Sequence, residues 1–99
     1  MFDNLMSQMQ DQAKEIKKKL DSTIVEAEAE NGMVKVKATG NKKVLSIEIN
    51  DDIADDKEAI EDLVIVAINK ALEKADELAS KETGDLAQGM LPNLGNLFG

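Results

Sequence analysis

Polar and apolar residues alternate through the middle of the chain, in the stretch EAEAENGMVKVKATGNKKVLSIEI at residues 26–49. A period of two is typical of β-strands that turn one face to a core and the other to solvent. Two turns interrupt the alternation. Asn31 and Gly32 suit the positive φ angles of a type I′ hairpin, and residues 40–43 form a four-residue loop. The pattern therefore predicts an antiparallel meander of three strands.

The two turns also predict the register of the strands. The first turn sets opposite charges against each other on one face, as in Glu28 opposite Lys35, and small against large aliphatic residues on the other face. If the second loop pairs Thr39 with Val44, three further pairs follow: Ala38 with Leu45, Val36 with Ile47, and Val34 with Ile49. Both turns place the aliphatic residues on the same face of the sheet, and that face must be covered.

Helical periodicity flanks the meander on both sides. Apolar residues recur at intervals of four and three over residues 2–20, which is typical of a helix packed along a narrow seam. A second stripe predicts a helix over about residues 56–81, with Asp55 and Glu58 as a capping box. Its apolar face consists of Ile60, Leu63, Val64, Ala67, Ile68, Ala71, Leu72, Ala75, Leu78 and Ala79. The predicted fold class is α+β, in the order helix, three-stranded antiparallel meander, long helix.

The lengths of these elements predict how copies of the chain associate. A helix of ~26 residues is roughly 39 Å long, whereas a strand of about seven residues spans about 23 Å. The helix must therefore extend beyond its own sheet, and its stripe needs cover from a second copy. We expect a homodimer in which the two helices cover the sheet, at least one of them resting partly on the other subunit. The predicted interface residues are Ile16, Leu20, Leu63, Ala67, Ala71 and Leu78.

The domain organisation follows from the same pattern. Residues 1–83 form a single predicted α-β-β-β-α domain. Residues 84–99 contain four of the six glycines and the only proline, which predicts a flexible tail. The alternative is that Leu91, Leu97 or Phe98 docks on a partner surface.

Composition narrows the classes of function. The chain of 99 residues contains no His, Cys or Tyr, which removes thiolate metal sites, thiol nucleophiles and the usual catalytic triads. Two aspartate pairs, Asp51 with Asp52 and Asp55 with Asp56, offer ligands for Mg²⁺, but helix capping and a solvated loop explain them more simply. We therefore expect no enzymatic activity, metal, cofactor or small-molecule substrate. The lack of cysteine, of a signal peptide and of a membrane-length apolar run predicts a cytoplasmic protein without a membrane partner.

Charge is distributed unevenly along the chain. The net charge is −8, and residues 51–62 alone hold seven acidic residues and one lysine. All twelve basic residues are lysines, which bind phosphates as point charges and lack the fork with which Arg reads bases. The candidate nucleic-acid-binding residues are Lys14, Lys17, Lys18, Lys19, Lys42 and Lys43. A simpler explanation of the helix lysines stays open, because cations near a helix C-terminus complement its dipole and keep the surface soluble.

The order of these elements and several segments resemble the YbaB/EbfC family of bacterial nucleoid-associated proteins. The matching segments are LMSQMQDQAKEIKKKL, GMVKVKATGNKKVLSIEIN, DKEAIEDLVIVAINKA and GMLPNLG, with Glu48, Leu63, Val64 and Asn69 at positions of the family pattern. The resemblance implies a tweezer-like homodimer that binds DNA with little or moderate sequence preference and has no enzymatic activity. It also implies a place in the nucleoid and a role in nucleoid organisation or gene regulation.

The chain departs from the family pattern in two places and in its charge. The family often has a glycine-rich hairpin at residues 30–33 and Asp-Pro where this chain has Asn50 and Asp51. A homodimer would carry twice the net charge of −8, so DNA binding must depend on local lysines, with acidic groups beyond ~8 Å largely screened by salt. The alternative hypothesis is an acidic protein–protein interaction module or scaffold that does not bind DNA.

Overall fold

A computed structural model describes the backbone of residues 2–90 and the side chains of residues 4–84. Its elements are α1 (Phe2–Ser22), β1 (Ile24–Ala29), β2 (Val34–Thr39), β3 (Val44–Ile49), a short 3-10 helix (Asp51–Ile53) and α2 (Lys57–Met90). The strands form one antiparallel sheet in the order β1-β2-β3. The predicted fold class and element order are confirmed. Neither helix of the described range is long and apolar enough to cross a membrane.

The first hairpin has the predicted register. Asn31 and Gly32 have φ angles of 53° and 89°, and the backbone N of Met33 donates to the carbonyl of Glu30 at 3.2 Å. Every predicted pair between β1 and β2 is present, including Glu28 opposite Lys35. Glu30 also has a positive φ, at 51°, so three successive left-handed residues make the turn that aligns six pairs of residues.

The second hairpin closes one residue earlier than predicted. The backbone N of Thr39 donates to the carbonyl of Lys43 at 2.8 Å, and that of Lys42 donates to the carbonyl of Thr39 at 2.9 Å. Lys42 has a φ of 68°. This is a three-residue turn whose last residue is left-handed, a common hairpin connection that is followed by a bulge. The predicted four-residue loop closed by Thr39 and Val44 is wrong for this reason.

The bulge lies between Lys37 and Ala38 and restores the register beyond it. Ala38 pairs with Val44 rather than with Leu45, so that predicted pair is wrong. The other two predicted pairs are confirmed: Val36 with Ile47, and Val34 with Ile49.

The start of α2 differs from the predicted capping box. The side chain of Asp56 accepts a hydrogen bond from the backbone N of Ala59 at 3.1 Å, so Asp56 is the N-cap. Asp55 precedes the cap because the chain makes a 3-10 turn there, and the backbone N of Asp56 donates to the carbonyl of Ile53 at 2.9 Å. The residue three positions after the cap is Ala59, whose methyl side chain cannot accept the hydrogen bond that a capping box requires.

The end of α2 also differs, since the helix continues to Met90 rather than ending near Lys81. Gly84, the expected start of the tail, lies inside the helix. A glycine costs only about 1 kcal/mol relative to alanine in a helix interior, which a long helix can accommodate. The predicted boundary between residues 83 and 84 therefore falls within α2. Leu91, Leu97 and Phe98 lie outside the described residues.

The core lies between α2 and the first two strands. α2 packs on β1 and β2 and scarcely touches β3, and α1 makes a small contact with the sheet at β2. Within one chain the helices therefore leave β3 uncovered, since all six of its residues are exposed; the expected cover by a helix of a second copy stays a prediction. The buried residues of the central cluster are Ala27, Ala29, Val34, Val36, Ala38, Ala67 and Ala71.

The long helix extends beyond the sheet, as its predicted length required. α2 has 34 residues, or roughly 51 Å of helix, and the chain measures 62 × 30 × 15 Å. Leu78, which the sequence left without cover in its own chain, lies beside Leu20 at the end of α1, where both side chains approach Gly40. Part of the cover that was assigned to a second copy is therefore supplied by α1.

Candidate nucleic-acid interface

The C-terminal end of α1 is tied to the second hairpin by its own carbonyl groups. The last carbonyls of a helix have no partner within the helix. Here the carbonyl of Leu20 accepts from the backbone N of Gly40 at 3.0 Å, and that of Lys19 accepts from the Thr23 hydroxyl at 2.6 Å. These bonds end the helix and hold the β2–β3 turn against it.

Asn41 makes the second link between the turn and the helix. Its side-chain amide donates to the carbonyl of Lys17 at 3.1 Å and to the carboxylate of Asp21. The two lysine groups that the sequence predicted, one in the helix and one in the turn, therefore lie at the same corner of the molecule. We call this set the lysine corner: Lys14, Lys17, Lys18, Lys19, Lys42 and Lys43.

Close apolar packing fixes the position of the corner. A Cβ at Gly40 would lie 2.9 Å from Cδ2 of Leu20 and 3.1 Å from Cδ2 of Leu78. Leu20 is only 5% exposed. The absence of a side chain at Gly40 therefore lets α1, α2 and the turn meet at one point, directly beneath the lysines.

Two lysines of the corner have acidic partners. Nζ of Lys19 lies 2.9 Å from the carboxylate of Glu82, and Lys42 pairs with Asp76. Both lysines keep half or more of their side-chain surface exposed, at 62% and 50%. An ion pair with both partners exposed contributes little to stability, so Lys42 can exchange Asp76, itself 59% exposed, for another anion at small cost. Glu82 is only 16% exposed, so Lys19 is the costlier of the two to release.

The other lysines of the corner have no ion pair within residues 4–84. All four are exposed. These residues are Lys14, Lys17, Lys18 and Lys43. Compact, exposed ammonium groups suit the oxygen atoms of phosphates rather than the edges of bases.

The predicted dimer-interface residues fall into two groups. Leu20, Ala67 and Ala71 are buried within a single chain, which leaves them no surface for a second copy. Ile16, Leu63 and Leu78 are half-buried. The large exposed aliphatic residues lie elsewhere, and those of β3 are Val44, Leu45, Ile47 and Ile49.

The aspartates near the start of α2 have structural surroundings. Asp56 caps α2, and the backbone N of Asp52 donates to the side chain of Asn50 at 2.8 Å. In the range that the structure describes, no three acidic side chains gather as a metal-binding group.

Sequence reasoning missed the link made by Asn41. Asn in a turn usually signals left-handed backbone or a local side-chain bond, and neither points to a helix some twenty residues earlier. The contact joins residues that are 24 positions apart in sequence, so no local pattern could reveal it. The lysines were found because their charge and spacing are visible in the sequence itself.

Comparison with known proteins shows close relatives. A model of the YbaB/EbfC DNA-binding family matches residues 1–90. A nucleoid-associated protein of Neisseria meningitidis serogroup C (strain 053442) is 43% identical over 95 residues, which cover 92% of this chain and 86% of that protein. A nucleoid-associated protein of Thermoanaerobacter pseudethanolicus is 43% identical over 93 residues, covering 92% and 82% of the two chains. The crystal structure of an uncharacterized protein from Helicobacter pylori matches with a TM-score of 0.76 at 26% identity, covering 91% of this chain and 92% of that one.

Proposed function

Because the chain belongs to the YbaB/EbfC DNA-binding family, we propose that it is a nucleoid-associated protein that binds double-stranded DNA as a homodimer. It contacts mainly phosphates, it has little sequence preference, and it serves nucleoid organisation or gene regulation without catalysis. The observation that supports this most directly is the lysine corner. Asn41 and Gly40 join two segments that are distant in sequence, which holds the lysine-bearing turn against the lysine-bearing end of α1.

The charges at the corner set the expected strength of binding. Four lysines are unpaired within the described side chains, while Lys19 and Lys42 pair with Glu82 and Asp76. A further carboxylate, that of Asp21, binds Asn41. Phosphate contacts release counterions, and each contact contributes about 0.9 to the slope of log affinity against log salt. We therefore expect modest affinity for DNA that falls as the salt concentration rises. The slope of log affinity against log salt should give the number of lysines that contact phosphates.

The lack of arginine argues for weak sequence preference. All twelve basic residues are lysines, and bidentate contacts to guanine, the commonest specific contacts in the major groove, are made best by Arg. Phosphate contacts fix the position of a protein on the duplex but carry no sequence information. Preference for particular sites would then depend on the shape of the duplex.

The homodimer in this proposal uses β3, through its outer edge and its exposed apolar face. Leu45, Ile47 and Ile49 are 49%, 43% and 39% exposed, although their alternation with polar residues is that of a strand facing a core. Burial of aliphatic surface is favourable by about 25 cal/mol per Å². A second copy offers the same surface, and a two-fold dimer brings identical patches together. The sheet thus supplies the contact that we first assigned to the helices.

A matched pair of variants tests the site. Lys17→Gln with Lys18→Gln removes two charges from the corner, and Lys35→Gln with Lys57→Gln removes two exposed lysines away from it. Binding to a fluorescent duplex is followed by anisotropy at several salt concentrations. The corner variant should bind more weakly and with a smaller salt slope, by about 0.9 per lost phosphate contact. The control variant should keep the slope of the wild type.

The outcomes separate the site from the function. Equal losses in both variants would show that general charge and not the corner governs binding. Failure of the wild type to bind duplex even at low salt would overturn the DNA-binding function itself.

A further inference from the structure

The two edges of the sheet differ in what their backbones contact. β1 and β3 are the edge strands. On β1, Nζ of Lys74 donates to the carbonyl of Glu26 at 2.6 Å, and Nζ of Lys70 donates to the carbonyl of Glu28 at 3.4 Å. Both carbonyls belong to alternate residues of one strand, so both point to the same side of it.

The spacing of the two lysines matches the spacing of the carbonyls. Four residues of helix rise about 6 Å, and two residues of strand advance about 6.8 Å. Lys70 and Lys74 stand one helical turn apart on α2, which packs along β1. One face of the helix can therefore place an ammonium group on each successive outer carbonyl of the strand.

The outer edge of β3 has no such contacts. Within the described side chains, no group donates to or accepts from the outer backbone of residues 44–49. All six residues of the strand are exposed, and its one charged residue is Glu48. The side chains of Leu45, Ile47 and Ile49 are apolar, so this edge lacks the charges that usually prevent strands of different molecules from pairing.

We propose that Lys70 and Lys74 close the β1 edge to strand pairing, so that copies of this chain associate only through β3 and assembly stops at a dimer. The inference rests on the proposed homodimer. A sheet with two open edges can add copies head to tail without limit, because a heterologous contact that does not close generates a filament. A sheet with one open edge can pair only with the open edge of a second copy. The combined sheet then ends in two closed β1 edges and has no open edge left.

The test removes the two donors and keeps the length of the side chains. Lys70→Met with Lys74→Met leaves the carbonyls of Glu26 and Glu28 free. The control, Lys57→Met with Lys81→Met, makes the same change in charge and hydrophobicity at two exposed positions of α2 away from β1. A third variant, Lys70→Arg with Lys74→Arg, restores donors at both positions. Sedimentation velocity over a wide range of concentration gives the size of each.

The edge variant should exceed the mass of a dimer and grow with concentration, while the control and the arginine variant remain dimers. Growth occurs although the edge variant carries two fewer positive charges, which increases repulsion between acidic chains. An edge variant that is folded by circular dichroism and keeps the wild-type mass would overturn the inference. If the double variant does not fold, Lys74→Met alone, which removes the 2.6 Å contact, is judged by the same criterion.

The proposed dimer contact and the proposed role of Lys70 and Lys74 can be tested separately. Ile47→Asp in the wild-type background tests the β3 contact without touching β1. If it stays dimeric, the proposed dimer is wrong whatever the edge variant does. If it becomes monomeric and the edge variant still forms only dimers, the dimer stands and the role of the two lysines is refuted.

Discussion

β2 and β3 are neighbouring strands with the same alternation, yet one is covered and the other is not. Val36 is fully buried, and its cross-strand partner Ile47 is 43% exposed. The same holds for Val34 and Ile49, at 0% and 39%. The alternation of a strand therefore tells which face is apolar, whereas the position of the nearest helix decides whether that face is buried in the same chain.

The size of the side chains explains where the helix lies. The parts of the sheet beneath α2 contribute Ala27, Ala29 and Ala38, and the helix faces them with small residues such as Ala67 and Ala71. Small residues on both surfaces let backbones approach closely and pack to the density of a protein interior. β3 presents only larger aliphatic residues on that face, so a helix at the same height cannot cover both halves of the sheet.

Substitution of the covered strand should have the largest effect. Val36→Asp places a carboxylate in the core, where an unpaired charge costs several kcal/mol, a large part of the about 5–15 kcal/mol that stabilises a typical domain. We expect loss of the cooperative urea transition followed by circular dichroism. A Val36→Asp protein that unfolds near the wild-type midpoint would show that this side of the sheet is open to water.

The same substitution on the partner residue should leave the fold intact. Ile47→Asp puts the carboxylate on a surface that is exposed in one chain, so the circular dichroism spectrum should be retained. If β3 is the dimer contact, the dissociation constant should rise by about thirtyfold or more, since truncation or charging of a central contact costs about 2 kcal/mol and upward. Sedimentation equilibrium measures this. Loss of the folded spectrum in the monomeric variant would mean that the single chain cannot fold alone.

The parts of the fold that depend on local signals could be predicted from the sequence. Asn31 and Gly32 defined the first hairpin, because few residues adopt positive φ. Val36 opposite Ile47 followed from the alternation. The bulge at Ala38 could not be foreseen, since it depends on Lys42 adopting the left-handed conformation that Gly or Asn usually takes.

The candidate site was predictable in its charges but not in its assembly. The lysines of residues 14–19 are visible as a cluster, and those at positions 42 and 43 as a charged turn. Their association depends on the amide of Asn41 and on the space left by Gly40, which are tertiary contacts without a sequence signal. Ala67 and Ala71, which we assigned to the interface, are buried within one chain, because a broad apolar stripe does not tell which surface covers it.

Gly40 is a covered position at the lysine corner, and a substitution there tests the same contrast between covered and open positions. Gly40→Ala adds a Cβ that would lie 3.1 Å from the carbonyl oxygen of Leu20 and 2.9 Å from its Cδ2. The side chain can move, but the carbonyl belongs to the end of α1. Overpacking of this kind typically costs about 1–3 kcal/mol. The free energy of unfolding from urea titration should fall by that amount, and the salt slope of DNA binding should fall with it if the turn leaves the helix.

Gly84 is the matched open position and gives the smallest expected effect. No atom lies within 4 Å of a Cβ built there, and the residue is inside α2. Gly84→Ala should therefore stabilise the helix by up to about 1 kcal/mol, the difference in helix propensity between the two residues. Only a part of this should appear in the midpoint of thermal unfolding, because Gly84 lies beyond the central cluster of the core. A decrease in the midpoint would be more informative than an increase. It would mean that a second copy of the chain covers this face of α2, so that less of α2 is exposed to solvent than in one chain.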